Sequence, residues 1–82
     1  MNLFVSNLNF KVTDENLREL FEQFGAVLSA NIIKDKFTKY SKGFGFVEMY
    51  DDKDGEAAIK DLDQTPWHGK IIHVSVARPK PV

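Results

Sequence analysis

The chain has 82 residues, a formal charge of −1, 43% hydrophobic residues and no cysteine. That length supports one small domain, and the apolar content excludes a disordered chain. Without cysteine there are no disulfides, thiolate metal sites or cysteine nucleophiles, and no apolar run approaches the roughly 18–20 residues of a membrane span.

Residues 2–8 read as a short strand whose alternation sends Leu3 and Val5 one way and Phe4 and Ser6 the other. Thr13 is a good N-cap, with Asp14 and Glu15 placed where the helix dipole favours anions. Leu17, Leu20, Phe21 and Phe24 then form one helical stripe, and Gly25 is expected as a left-handed stop. Val27 to Ile33 reads as a second strand, with Leu28, Ala30 and Ile32 on one face and Ser29, Asn31 and Ile33 on the other. A charged loop over 34–41 leads to a third strand, Lys42 to Met49, built of glycine and aromatics. Asp52 to Leu62 reads as a second helix that Gly55 weakens by about 1 kcal/mol relative to alanine. Pro66 to Gly69 reads as a turn, Lys70 to Val76 as a last strand with Ile72 and Val74 together, and 78–82 as a short tail.

The order β-α-β-β-α-β predicts an α+β, ferredoxin-like sandwich, a four-stranded antiparallel sheet with two helices on one face. Two helices of about three turns cover one sheet face, and nothing in the sequence is left to cover the other. On the third strand, Gly45, Val47 and Met49 must face the helices, so Phe44, Phe46 and Glu48 face the bare side. Large aromatics on a solvated face need a reason.

Charge is unevenly distributed along the chain. Residues 14–24 carry Asp14, Glu15, Glu19 and Glu22 against Arg18. Residues 51–63 carry six carboxylates against Lys53 and Lys60. The remainder holds Lys11, Lys34, Lys36, Lys39, Lys42, Lys70, Arg78 and Lys80 against only Asp35 and Glu48. With both acidic segments on the helical side, the opposite side is basic despite the overall charge.

Lys42 to Met49, Lys-Gly-Phe-Gly-Phe-Val-Glu-Met, matches the eight-residue signature of the RNA-recognition-motif family at seven positions. Leu3 to Leu8, Leu-Phe-Val-Ser-Asn-Leu, is similar to the family's six-residue partner motif on the first strand. The chain therefore resembles this family from Asn2 to about Lys80, in particular its single-domain bacterial and cyanobacterial members. The resemblance implies that Phe4 and Phe46 stack two successive bases, that Phe44 packs against ribose, and that Lys42 meets a phosphate. It further implies backbone or base contacts from Arg78 and Lys80. Asn31, His73 and Ser75 point to the same face, where they are placed to read base edges.

The sequence departs from the family pattern at three places. Met49 stands where an aromatic is usual, Lys39-Tyr40 where glycine plus a basic residue is common, and Gln64 where glycine is frequent. Trp67 reads as a cap on the core, and Lys34, Lys36 and Lys39 as a loose cluster open to phosphate.

Stacking of about 1–3 kcal/mol per base, less ordering costs, implies micromolar or weaker affinity. The expected function is thus single-stranded RNA binding with a post-transcriptional or RNA-chaperone role, by a monomer that is cytoplasmic, or nuclear if eukaryotic, and needs no metal or cofactor. Single-stranded DNA stays open as a ligand, because only contacts to the 2′-hydroxyl discriminate. The alternative is a protein-interaction module working through its acidic helices. An enzyme is not expected: the segment Asn7 to Thr13 has only Lys11 to hold an anion, and Gly-Phe-Gly-Phe lies within a strand rather than before a helix. One domain is expected over 1–82, with its core over about 2–77. A start at Met1 and an end just past the last strand fit a complete protein or an excised module equally.

Overall fold

The computed structural model describes residues 1–77. Arg78 and Lys80, expected as ligand contacts, lie outside the described residues. Seven elements follow in chain order: β1 (Asn2–Ser6), α1 (Asp14–Glu22), β2 (Val27–Lys34), β3 (Ser41–Met49), α2 (Asp52–Leu62), β4 (Thr65–Trp67) and β5 (Lys70–Val76). The sheet runs β2-β3-β1-β5-β4, with every pairing antiparallel.

The expected four strands are five. Pro66 to Gly69, read as a turn, overlaps β4, which pairs Trp67 with Lys70 across a two-residue loop. Both loop residues have positive φ, His68 at 50° and Gly69 at 80°, as a type I′ hairpin requires. Pro66 is tolerated because β4 is the sheet edge.

The Thr13 side chain accepts the Asn16 N–H, and the Asn16 side-chain oxygen accepts the Thr13 N–H in return, closing a capping box. The stop of α1 differs from expectation. The helix ends at Glu22 with Gln23 as a right-handed cap, so the chain leaves it before Gly25. One side of the sheet carries Leu3, Val5, Val47, Met49, Ile72 and Val74, and against it pack Leu17, Leu20 and Phe21 of α1 and Ala58 of α2. All of these are buried, and full burial of each large side chain contributes about 1.5–3 kcal/mol. Trp67 packs against this core at its edge, as its reading as a cap beside the turn before the last strand expects.

On β2 the expected alternation fails at one residue. Val27 pairs with Met49 and Ser29 with Glu48, leaving Leu28 as the extra residue of a bulge. Leu28 is therefore 53% exposed and Val27 is buried in its stead. Beyond the bulge the reading recovers: Ala30 opposes Val47 and Ile32 opposes Gly45 on the helical side. Gly45 is required there, because a Cβ would stand 2.6 Å from the Asn31 carbonyl oxygen and 3.2 Å from Ile32 Cα. The Asp14 carboxylate at the start of α1 accepts the Ile32 N–H at 2.6 Å, tying helix to strand.

Candidate nucleic-acid interface

The strand pairings set the geometry of the bare face. Phe4 lies opposite Phe46 on one side and Ser75 on the other, and Asn31 lies opposite Phe46. Asn31, Phe46, Phe4 and Ser75 thus form one continuous row across four strands. The neighbouring row is Phe44, Ser6 and His73, and beyond the opposite end Glu48 lies between Ser29 and Asn2. None of the described residues covers these rows, because both helices pack on the other side.

The three phenylalanines touch as a cluster. The Phe4 ring centroid is 5.3 Å from that of Phe46 and 5.6 Å from that of Phe44, with interplanar angles of 50° and 47°. Such tilted contacts are favourable between aromatic quadrupoles and hold the rings in place without closing their outer faces. Phe46 is 41% exposed, while Phe4 and Phe44 are half-buried by their neighbours. The rings are wide, fixed and wetted, which is the geometry a stacked base needs.

Polar groups frame the cluster. Asn31, His73 and Ser75 are exposed, and Lys42 projects from the start of β3 beside Phe44. His73 Nδ1 lies 4.0 Å from Asp63 Oδ1, an oxygen that also accepts the Val74 N–H at 2.9 Å. All seven described candidates, Phe4, Phe44, Phe46, Lys42, Asn31, His73 and Ser75, therefore share one face. Its charge is graded from Glu48 at one end to Lys42 and Lys70 at the other, with the acidic helices behind the sheet.

The loop between β2 and β3 is folded around Asp35. One oxygen of Asp35 accepts the Phe37 N–H at 2.8 Å and the Thr38 N–H at 3.0 Å. These backbone donors, Thr38 first and Phe37 next, hold the exposed Asp35 carboxyl below its ordinary value of 3.8. The turn leaves Phe37 92% and Tyr40 76% exposed among Lys34, Lys36 and Lys39. Lys39, where the family commonly has glycine, adopts φ +66°, and Gln64, likewise, adopts φ +61°. Both backbones keep the left-handed shape that glycine would take without strain.

Three exposed aromatics escaped the sequence reading: Phe10, Phe37 and Tyr50, the last 75% exposed just past β3. Phe10, 66% exposed, and Phe37 belong to loops with no periodicity, so neither alternation nor helical spacing marks them. The available signal was their type: a large aromatic within an otherwise polar loop.

A one-sided sheet whose bare face carries fixed, exposed aromatics framed by hydrogen-bonding side chains defines a class of base-stacking domain. The chain belongs to the RNA recognition motif family, whose profile matches residues 3–73. It is 38% identical over 80 residues to RbpE of Nostoc sp. (strain PCC 7120), named as a candidate RNA-binding protein, spanning 98% of this chain and 81% of that one. The crystal structure of RNA binding protein PG1 superposes with a TM-score of 0.94 at 44% identity, covering 100% of this chain and 99% of that one. A Sxl-lethal protein/RNA complex gives a TM-score of 0.92 at 36% identity, over 98% of this chain and 48% of the other.

Proposed function

We propose that the chain binds single-stranded RNA across the open face, one base on Phe4, the next on Phe46, with Phe44 against the ribose between them. The carrying observation is the continuous row Asn31–Phe46–Phe4–Ser75, which sets two stacking rings side by side between two hydrogen-bonding side chains. Lys42 is assigned to a phosphate, and Asn31, His73 and Ser75 to base edges. Membership of the family, and the RNA held by a structural relative, support RNA as the ligand.

Stacking is tolerant of base identity, so the platform favours single strands broadly and leaves selectivity to the framing side chains. A weak, broad binder suits brief contact with many transcripts, in a post-transcriptional or RNA-chaperone role. It acts as a binding module rather than an enzyme. The same reading takes residues 1–82 as one domain, working as a cytoplasmic monomer without metal.

Fluorescence anisotropy with a labelled short single strand tests this. The expected dissociation constant is micromolar or weaker, about −8 kcal/mol at best, and duplex RNA of the same sequence binds at least tenfold more weakly. With about two to four phosphates neutralised, the log–log salt slope lies between roughly −1.4 and −2.8. Duplex binding as tight as single-strand binding contradicts the proposal. A parallel titration with single-stranded DNA measures how far the 2′-hydroxyl is read.

A further inference from the structure

Beyond Phe44 the open face runs into a recess of about 310 Å³ between the β1–α1 segment and the starts of β3 and β5. Its walls include Asn7, Phe10, Lys42, Gly43, Phe44 and Lys70, and among the described residues no carboxylate lines it. That volume is at the lower end of the range of small-ligand pockets, about 300–1,000 Å³.

The recess is built rather than incidental. Leu8 N–H donates to the Gly43 carbonyl at 2.8 Å, tying the loop after β1 to β3. The side-chain amides of Asn7 and Asn9 donate to the Ile71 and His68 carbonyls at 2.6 and 3.0 Å, tying it to the β4–β5 hairpin. Gly43, at φ +82°, leaves room for the Phe10 ring, whose Cε1 would lie only 3.2 Å from a Cβ there. Phe10 is thus held on an anchored loop yet stays 66% exposed. Its visible partner is the Lys70 ammonium, 5.6 Å from the ring centroid. An aromatic face beside two ammonium groups is the complement of a nucleotide, which presents a π-face beside an anion.

We infer that this recess is a further nucleotide subsite, taking the base next to the Phe44 end of the platform against Phe10 and its phosphate between Lys42 and Lys70. The inference rests on the platform reading, since the same strand must reach the recess from Phe44. It also gives the strand a direction of extension, because the recess borders one end of the aromatic cluster and Glu48 the other.

The test is a length series of oligouridylates, grown one nucleotide at a time from either end, against wild type, Phe10→Ala, Lys70→Gln and Phe10→Tyr. Wild type is expected to gain about tenfold in affinity at one added nucleotide, from one end only. Phe10→Ala and Lys70→Gln should abolish or sharply reduce that step while binding the shorter oligonucleotide within about twofold of wild type, and Phe10→Tyr should keep it. Thermal melts should show Phe10→Ala, an exposed change, with the fold intact. A step that persists in Phe10→Ala and Lys70→Gln, or no step in wild type, overturns the subsite alone. A short oligonucleotide indifferent to Phe46→Ala overturns the platform, and the subsite with it.

Discussion

Replacing Phe46 by alanine separates the binding role of the aromatic face from its structural role. Truncating a fully buried phenylalanine costs about 3–5 kcal/mol, but Phe46 is 41% exposed in the free chain. What it loses is partial burial and the ring contact with Phe4 at 5.3 Å, a pair worth about 0.5–1.5 kcal/mol. The variant should therefore be destabilised by only about 1–2 kcal/mol, within what a domain of this size tolerates. The lost base stack costs about 1–3 kcal/mol of binding, a weakening of roughly 5- to 150-fold. Val74→Ala is the control: it opens a cavity in the core, with Val74 2% exposed, and costs about 2 kcal/mol of stability while leaving the face intact. Anisotropy titrations and urea melts on both variants should show stability lost in each and affinity lost in one. Phe46→Ala binding like wild type, or Val74→Ala losing affinity to the same degree, refutes the reasoning.

Gly45→Ala should cost about 1–3 kcal/mol, because the new Cβ meets the backbone at Asn31 and Ile32, which cannot yield as a flexible side chain would. A urea midpoint unchanged from wild type would contradict that. Gln64→Gly should stabilise: relief of a left-handed cost of about 1–2 kcal/mol outweighs a glycine entropy penalty of about 0.4–1 kcal/mol. A melting temperature raised by a few degrees is the expected result, and a lowered one the contrary result. The Asp35 turn predicts a pH effect in the β2–β3 loop. Its carboxyl is depressed in the folded chain, so the turn's support is complete above the ordinary value of 3.8 and is lost as pH falls through the lower folded value. Amide signals of Phe37 and Thr38 should stay constant from about pH 5 to 8 and titrate only below the ordinary value of 3.8, whereas Asp35→Asn removes that titration. Titration at the ordinary value would show that the two backbone donors do not hold the carboxylate.

Much of the fold was legible because period-two alternation and helical spacing report the same buried face. Leu3 and Val5 on β1, Val47 and Met49 on β3, and Ile72 and Val74 on β5 all lie where alternation puts them. The bulge at Leu28 was not legible. Val-Leu-Ser-Ala-Asn-Ile-Ile offers apolar residues on both parities, and only the partner strand decides which one is expelled. β4 was hidden by Pro66 and by its three-residue length, although Gly69 after a single intervening residue carried a hairpin signal. The aromatic platform was legible for a topological reason: a two-sided sheet with two helices leaves one side bare. Phe10 and its recess were not, since the recess is assembled from three segments far apart in sequence, brought together by the Asn7 and Asn9 side chains. Likewise the role of Gly45 as a point of close backbone approach was inferred in kind, but its neighbour at Asn31 needed the register.

The most direct measurement follows the ring carbon and proton signals of the phenylalanines as short single-stranded RNA is added to the labelled chain. Bases stacked on Phe4 and Phe46 should shift those rings upfield and leave contacts from both to nucleobase protons, with Phe44 showing contacts to ribose and with Leu17 and Phe21 of the covered face unmoved. Rings on the open face that stay silent while signals of α1 and α2 shift would contradict the account at its centre.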